Sequence, residues 1–146
     1  MNQLEVTKFD TYQDDPTGKL EMFENYLKSR LPADYREFLN SNGWCMVEPS
    51  GFAIGYLPSM KNEEIDERVG AFYGLDVPNE EACSLLWNYE CFSHSGRIPS
   101  SLIPIASTCG NQLCIGVSGE ETGKIYYWYQ DFESEQEGFD NCTLIA

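Results

Sequence analysis

The chain has 146 residues, with 24 Asp and Glu against 9 Lys and Arg, so its formal net charge at pH 7 is −15. Such a charge repels phosphate backbones and anionic membranes, which argues against a nucleic-acid-binding or membrane-surface protein. The negative charge favours either simple solubility or encounter with a basic protein partner. Hydrophobic residues make up 42% of the chain, which suffices for the core of one domain spanning residues 1–146.

The first predicted element is an amphipathic helix over about 17–29, which follows a polar stretch at 1–18. Asp14-Asp15-Pro16 is typical of a helix start. Apolar residues then recur at helical spacing. The expected apolar face consists of Leu20, Met22, Phe23, Tyr26 and Leu27.

A second helix follows at once. Pro32 suits its first turn, where a missing N–H costs nothing, and Asp34 suits the positive end of the helix dipole. Asn42-Gly43 supplies a left-handed C-terminal stop. The expected buried face consists of Tyr35, Phe38 and Leu39.

Beyond Gly43, strand patterns and one more helix are predicted. The expected strands cover 44–47, 52–56 and 69–75, whereas the charged residues 59–68 indicate a loop or a single helical turn. The third helix is expected to open at Pro78, with Asn79 as its N-cap, and to end before Gly96. Its expected apolar face consists of Ala82, Leu85, Leu86 and Tyr89.

The residue pattern of the C-terminal half predicts a β-sheet. Residues 97–106 are predicted to be extended, and Pro99 and Pro104 place them at a sheet edge or outside the ladder. Alternating apolar residues make 111–117 and 124–129 the best strand pair, joined by a polar, glycine-bounded loop. Residues 142–145 predict a last strand.

The six cysteines include no C-x-x-C pair, which indicates reduced thiols rather than a disulfide framework. The N-terminus lacks the apolar region of a secretory signal, and no run of 18 apolar residues predicts a transmembrane helix. We therefore expect a cytoplasmic protein with no membrane association.

The motifs of common enzymes are missing. His94 is the one histidine, and the chain has no Gly-x-Ser-x-Gly elbow and no glycine-rich phosphate loop. Cys109 and Cys114 are the only closely spaced cysteines, too few for zinc. We therefore predict no enzyme, no cofactor and no metal site, and interpret His94 as a solvated loop residue.

A cluster of aromatic and acidic residues near the C-terminus is the candidate for binding. Four consecutive aromatic residues at 126–129 stand on one predicted strand, so alternation sends two to each face. The pair on the outer face either lies under a helix or serves to anchor a protein partner. The second alternative is considered because Tyr and Trp dominate binding hot spots. The candidate partner-binding residues are Glu120, Glu121, Tyr127, Tyr129, Asp131 and Glu133.

Four motifs, in this order, resemble those of the SUKH superfamily. The first is Leu31-Pro32-Ala33-Asp34-Tyr35 with Phe38-Leu39 and Asn42-Gly43, and the second is Phe72-Tyr73-Gly74-Leu75. The third is Ile98-Pro99 with Leu102 to Ala106, and the fourth is the pair 111–115 and 123–128. The resemblance covers about residues 17–130.

The resemblance implies an α+β fold, with a mixed, mostly antiparallel curved sheet and helices packed around it. It implies a non-enzymatic immunity protein that binds and neutralises a toxin, often a nuclease, of a polymorphic or contact-dependent system. The alternative is a scaffold or regulator similar to the fungal regulator of cell-wall synthesis.

Two positions depart from the pattern. Tyr129 stands where relatives commonly have an acid, which puts the contact of that acid in doubt. Relatives also commonly continue into a C-terminal helix, whereas this sequence stops at Ala146, so that the helix is either absent or cut off with the end of the sequence. The groove that such a helix covers is then expected to be exposed, which favours a homodimer.

Overall fold

The computed structural model describes residues 5–8, 18–48, 51–54, 65–75, 81–108, 110–130 and 142–144. Its helices are α1 (Lys19–Leu27), α2 (Ala33–Asn42) and α3 (Leu85–Asn88), and α3 continues into a π-helical segment, Tyr89–His94. Its strands are β1 (Glu5–Lys8), β2 (Cys45–Glu48), β3 (Gly51–Ile54), β4 (Ile65–Phe72), β5 (Leu102–Thr108), β6 (Asn111–Gly116), β7 (Ile125–Trp128) and β8 (Cys142–Leu144).

The strands form one sheet in the order β1-β2-β4-β5-β6-β7-β8, and β3 pairs with the first half of β4. Every pairing between described strands is antiparallel, and only two isolated bridges, Gly74 to Ser84 and Gly116 to Thr122, are parallel. The predicted α+β class with a mostly antiparallel sheet is therefore confirmed.

The three helices bury their apolar sides against one face of β5 and β6. Burying a side chain the size of leucine or phenylalanine contributes about 1.5–3 kcal/mol, so this cluster supplies much of the fold's stability. Its buried members include Leu20, Phe23, Tyr35, Leu39 and Leu85 from the helices and Ile103, Ile105, Ile115 and Val117 from the sheet side.

The opposite face of the sheet is covered as well. Side chains alternate across a strand, so Cys114 and Trp128 point away from the three-helix cluster. The ring of Phe92, in the π-helical segment, meets the Trp128 ring edge-on at 5.6 Å between centroids. Tyr126 packs beside them, half-buried. The helical cover predicted as one alternative for the aromatic strand is therefore confirmed for Trp128.

A buried carboxylate joins α1 to α2. Glu24 is 6% exposed, and its Oε2 accepts the backbone N–H of Leu31 at 2.7 Å, at the break between the helices. The guanidinium Nε of Arg36 lies 3.1 Å and 3.2 Å from the two carboxylate oxygens. Helical periodicity does not identify this residue as buried, because acids on amphipathic helices ordinarily face solvent.

The end of α2 follows the prediction. Gly43 has φ 60°, a conformation that side chains with a Cβ rarely adopt, and its N–H donates to the carbonyl of Leu39 at 3.0 Å. The structure also confirms the predicted first helix, which is α1, the predicted strand pair, which is β6 and β7, and the predicted last strand, which is β8. The proposed helix start at residues 14–16 lies outside the described residues.

Two segments predicted as irregular or polar are strands. Residues 65–68 open β4 instead of forming a loop, and Glu5–Lys8 forms β1 within the polar N-terminal stretch. Their charged residues gain backbone partners from β3 and β2 respectively. Strand formation here depends on a partner distant in sequence, which overrides weak local propensity.

The third helix starts later than predicted. Its N-cap is Ser84, whose hydroxyl accepts the Trp87 N–H at 3.3 Å, whereas Asn79 lies outside the described residues. Ala82 belongs to a preceding 3₁₀ turn, Glu81–Cys83, and is exposed. The prediction of a helix opening at Pro78 was therefore wrong in its boundary and in part of its apolar face.

The prediction that both prolines lie at an edge or outside the ladder holds for Pro99 but is wrong for Pro104. Pro104 is part of β5, which lies between β4 and β6. The β5–β6 register shifts between Pro104 and Ala106, and β4 pairs with β5 only from Ala106 to Thr108. Pro104 therefore needs no N–H for β4, which lets a central strand accept proline.

The cysteines behave as apolar residues. The described cysteines all carry free thiols, and Cys109 lies outside the described part. Burial raises the pKa of the Cys142 thiol to about 12 and raises that of Cys114 well above its usual range. Both thiols are therefore poor nucleophiles at neutral pH, as expected of cysteines that only fill a core.

Candidate protein-binding surfaces

The acidic turn, residues 118–123 between β6 and β7, holds two of the predicted partner-binding residues. Glu120 is exposed and Glu121 half-buried within the 3₁₀ turn Gly119–Glu121. The Gly116 N–H donates to the Lys124 carbonyl at 2.9 Å, and the Gly123 N–H donates to the Gly116 carbonyl at 2.9 Å. The backbone of the turn is therefore held where it leaves β6 and where it enters β7.

Gly116 lies directly beneath this turn. A Cβ built on Gly116 would fall on the backbone carbonyl of Glu121, which a side-chain rotation cannot relieve. We expect Gly116→Ala to displace the acidic turn and to reduce the free energy of unfolding by about 1–3 kcal/mol, as overpacking does.

Urea unfolding measures this loss, and Gly110→Ala is the matched control because no atom lies near its Cβ position. Gly110 has φ 92°, so its substitution carries backbone strain without a clash. Equal losses in the two variants would contradict the close approach at Gly116.

The other predicted partner-binding residues fall in different environments. Tyr127 is completely buried, and its hydroxyl oxygen accepts the Asn111 side-chain N–H at 2.6 Å, so its side chain has no surface to offer a partner. Tyr129 is half-buried, with its ring 6.2 Å from that of Tyr127. Asp131 and Glu133 lie outside the described residues. The structure therefore brings Glu120 and Glu121 together and removes Tyr127 from the candidate surface.

A second surface, the helix groove, lies between α1 and α3 with its π-helical continuation. It is an open groove of about 440 Å³, and Met22, Phe23, Tyr26, Leu86 and Glu90 are among its lining residues. Met22, Tyr26 and Leu86 belong to the predicted apolar helix faces, yet they are 66%, 47% and 42% exposed.

The Tyr89 ring connects the π-helical segment to α1. It packs edge-on against Phe23 at 5.7 Å and against Tyr26 at 5.6 Å between ring centroids. Burial raises the pKa of the Tyr89 hydroxyl. Met22 and Leu86 line the open groove instead of meeting in a closed core. Helical spacing could identify the apolar residues but not the distance between their helices.

His94 ends the π-helical segment rather than lying in a loop after it. Its side chain is exposed, and its ring lies 6.0 Å from that of Tyr26 and 6.1 Å from that of Tyr89. In the described ranges, no three His, Cys, Asp or Glu side chains are grouped so that they could hold a metal ion. Among the helices that the structure describes, none has the length and apolar character needed to cross a membrane.

Comparison with known proteins places this fold in a family. The profile of the SMI1 / KNR4 family (SUKH-1) matches residues 17–146. The chain is also similar to the SPbeta prophage-derived uncharacterized protein YokK of Bacillus subtilis (strain 168), with 26% identity over 133 residues. That match covers 83% of this chain and 65% of the relative, so the chain spans less than two thirds of the relative's length. The chain belongs to the SMI1 / KNR4 family (SUKH-1), within the superfamily that its four motifs predict.

Proposed function

We propose that this chain is an immunity protein that binds a basic toxin domain and neutralises it by covering its surface. Family membership supports an immunity-like or SMI1-type protein. The observation that carries the proposal beyond the family is the acidic turn, whose hydrogen-bonded backbone bears Glu120 and Glu121 on a chain of net charge −15. Nuclease toxins are a fitting target, because a surface that holds a phosphate backbone is basic.

The charge is suited to rapid capture. Complementary charges raise association rates more than they raise affinity, and a toxin inside its own producer has to be bound before it acts. Tyr129, half-buried after the end of β7 that is remote from the turn, offers aromatic contact area that would slow dissociation. The proposed action needs binding alone, and it assigns no catalytic role to His94.

The second candidate function is a scaffold or regulatory protein with no toxin partner, of the SMI1 type. Membership of the SMI1 / KNR4 family supports this alternative as well. The two functions differ in the partner: a basic toxin encoded beside the gene supports immunity, whereas signalling or cell-envelope proteins support regulation.

The proposal is tested by co-expressing this chain with each neighbouring open reading frame that is toxic when expressed alone. Restored growth and a salt-sensitive complex are expected. In stopped-flow measurements, the association rate constant should fall markedly as salt is raised, since exposed charges are screened beyond about 10 Å at 0.1 M. Glu120→Gln with Glu121→Gln should slow association by about 3- to 10-fold.

The matched control is Glu37→Gln with Glu48→Gln, which removes the same charge from exposed positions on α2 and β2. Equal slowing in both double variants would show that overall charge, not the acidic turn, steers the partner. An association rate unaffected by salt, or the absence of any neutralised toxin, would contradict the proposal.

A further inference from the structure

Four of the seven large apolar side chains that are exposed in the described residues lie on α1 and α3, whereas the other three lie on strands. Met22 and Tyr26 on α1 and Leu86 on α3 line the helix groove, and Trp87, 40% exposed, follows Leu86 directly. Exposed apolar patches of this kind mark interaction sites more often than chance. Tyr, Trp and Met are moreover the residues enriched at the centres of protein interfaces.

We propose that the helix groove binds an amphipathic α-helix of a basic protein partner, which inserts its apolar stripe between α1 and α3 and points its basic residues outward. This inference rests on the proposed function, because it assigns the anchor surface for the partner that the acidic turn attracts. A groove bounded by two helices matches the recognition mode in which an amphipathic helix places residues at i, i+3, i+4 and i+7.

Charge decides what kind of amphipathic surface fits. Glu90 lines the groove and Glu21 stands exposed next to Met22, whereas Lys19 is the one base among the described lining residues. On a chain of net charge −15, these acids favour basic residues beside the apolar stripe. The same charge repels an anionic membrane surface, which could otherwise accept Met22, Tyr26 and Trp87 as an apolar patch.

The probe is a fluorescein-labelled 18-residue peptide of leucine and lysine, with leucines at helical spacing. Its binding is measured by anisotropy at 0.15 M NaCl. Two double variants carry identical chemical changes and identical net charge: Met22→Lys with Leu86→Lys in the groove, and Met46→Lys with Leu144→Lys on exposed positions of β2 and β8. Thermal unfolding of both variants checks that the fold is retained.

We expect the groove variant to bind the peptide about 10- to 100-fold more weakly than the wild type, and the strand variant to change affinity by less than about 3-fold. Equal weakening in both variants, or no saturable binding to the wild type, overturns the proposal. So does equal binding of a peptide of the same composition whose leucines are scrambled, or of a leucine–glutamate peptide.

Two further outcomes assign the groove to another occupant and also overturn the proposal. One is co-sedimentation of the wild type, but not the groove variant, with phosphatidylglycerol vesicles. The other is a wild-type dimer in size-exclusion chromatography that is a monomer in the groove variant.

The groove inference and the proposed function can fail separately. If a toxin is neutralised equally by wild type and groove variant, the groove inference fails and the immunity function is retained. If peptide binding depends on the groove and no toxin is found, the function fails and the groove stands.

Discussion

Replacing Trp128 with alanine is expected to reduce the free energy of unfolding by about 3–5 kcal/mol, the cost typical of removing a buried tryptophan. Trp128 has no exposed surface and fills the sheet face opposite the three-helix cluster, beneath the ring of Phe92. Its ring also lies 5.7 Å from the guanidinium carbon of Arg97, which stands 4.7 Å from the Phe92 ring. The variant loses the buried area, the ring contact and part of this cation–π interaction together.

The matched control is Trp87→Ala, because Trp87 is the same residue type at 40% exposure. We expect Trp87→Ala to cost clearly less, about 1–2 kcal/mol, because much of this side chain is already in contact with water. Urea unfolding followed by far-UV circular dichroism measures both variants. Domains of this kind have total stabilities of about 5–15 kcal/mol, so the Trp128 variant should show a large shift of its midpoint. Similar shifts in the two variants would mean that Trp128 is not the centre of a packed face.

Glu24→Ala is expected to reduce the free energy of unfolding by about 2–4 kcal/mol. The substitution leaves the Leu31 N–H without the acceptor it has at 2.7 Å, and it removes the partner of Arg36. An unsatisfied buried donor costs about 1–3 kcal/mol. The ion pair adds less than a fully buried pair would, because the Arg36 side chain is 32% exposed and screened by solvent.

Two variants separate the hydrogen bond from the charge. Glu24→Gln keeps an acceptor for the Leu31 N–H and loses the charge, so it should cost less than Glu24→Ala, about 1–2 kcal/mol. Glu37→Ala on the exposed side of α2 should cost less than about 0.5 kcal/mol. If Glu24→Ala unfolds at the same urea concentration as Glu37→Ala, the carboxylate does not hold α1 to α2.

Sequence signals predicted the structure correctly where it depends on interactions between residues that are close in sequence. Pro32 and Asp34 at one end of α2 and Gly43 at the other each act on the backbone within a few residues, and the helix lies where they place it. The alternation in β6 and β7 predicted their pairing for the same reason, since the connecting turn brings adjacent segments together. The acidic turn follows from that hairpin, so the hairpin pattern alone places Glu120 and Glu121 side by side.

Residue order and composition were enough to predict the α+β class, the family motifs, the two N-terminal helices, the C-terminal hairpin and the strongly acidic character of the chain. Tertiary contacts were needed to establish that residues 65–68 join the sheet, that Tyr127 belongs to the core and that Glu24 is buried between helices. They also leave Met22 and Leu86 lining an open groove. These outcomes depend on which distant segments meet and how far apart they stand. Hydrophobic periodicity identifies which side chains can be buried, whereas contacts with distant parts of the chain determine which side chains are buried.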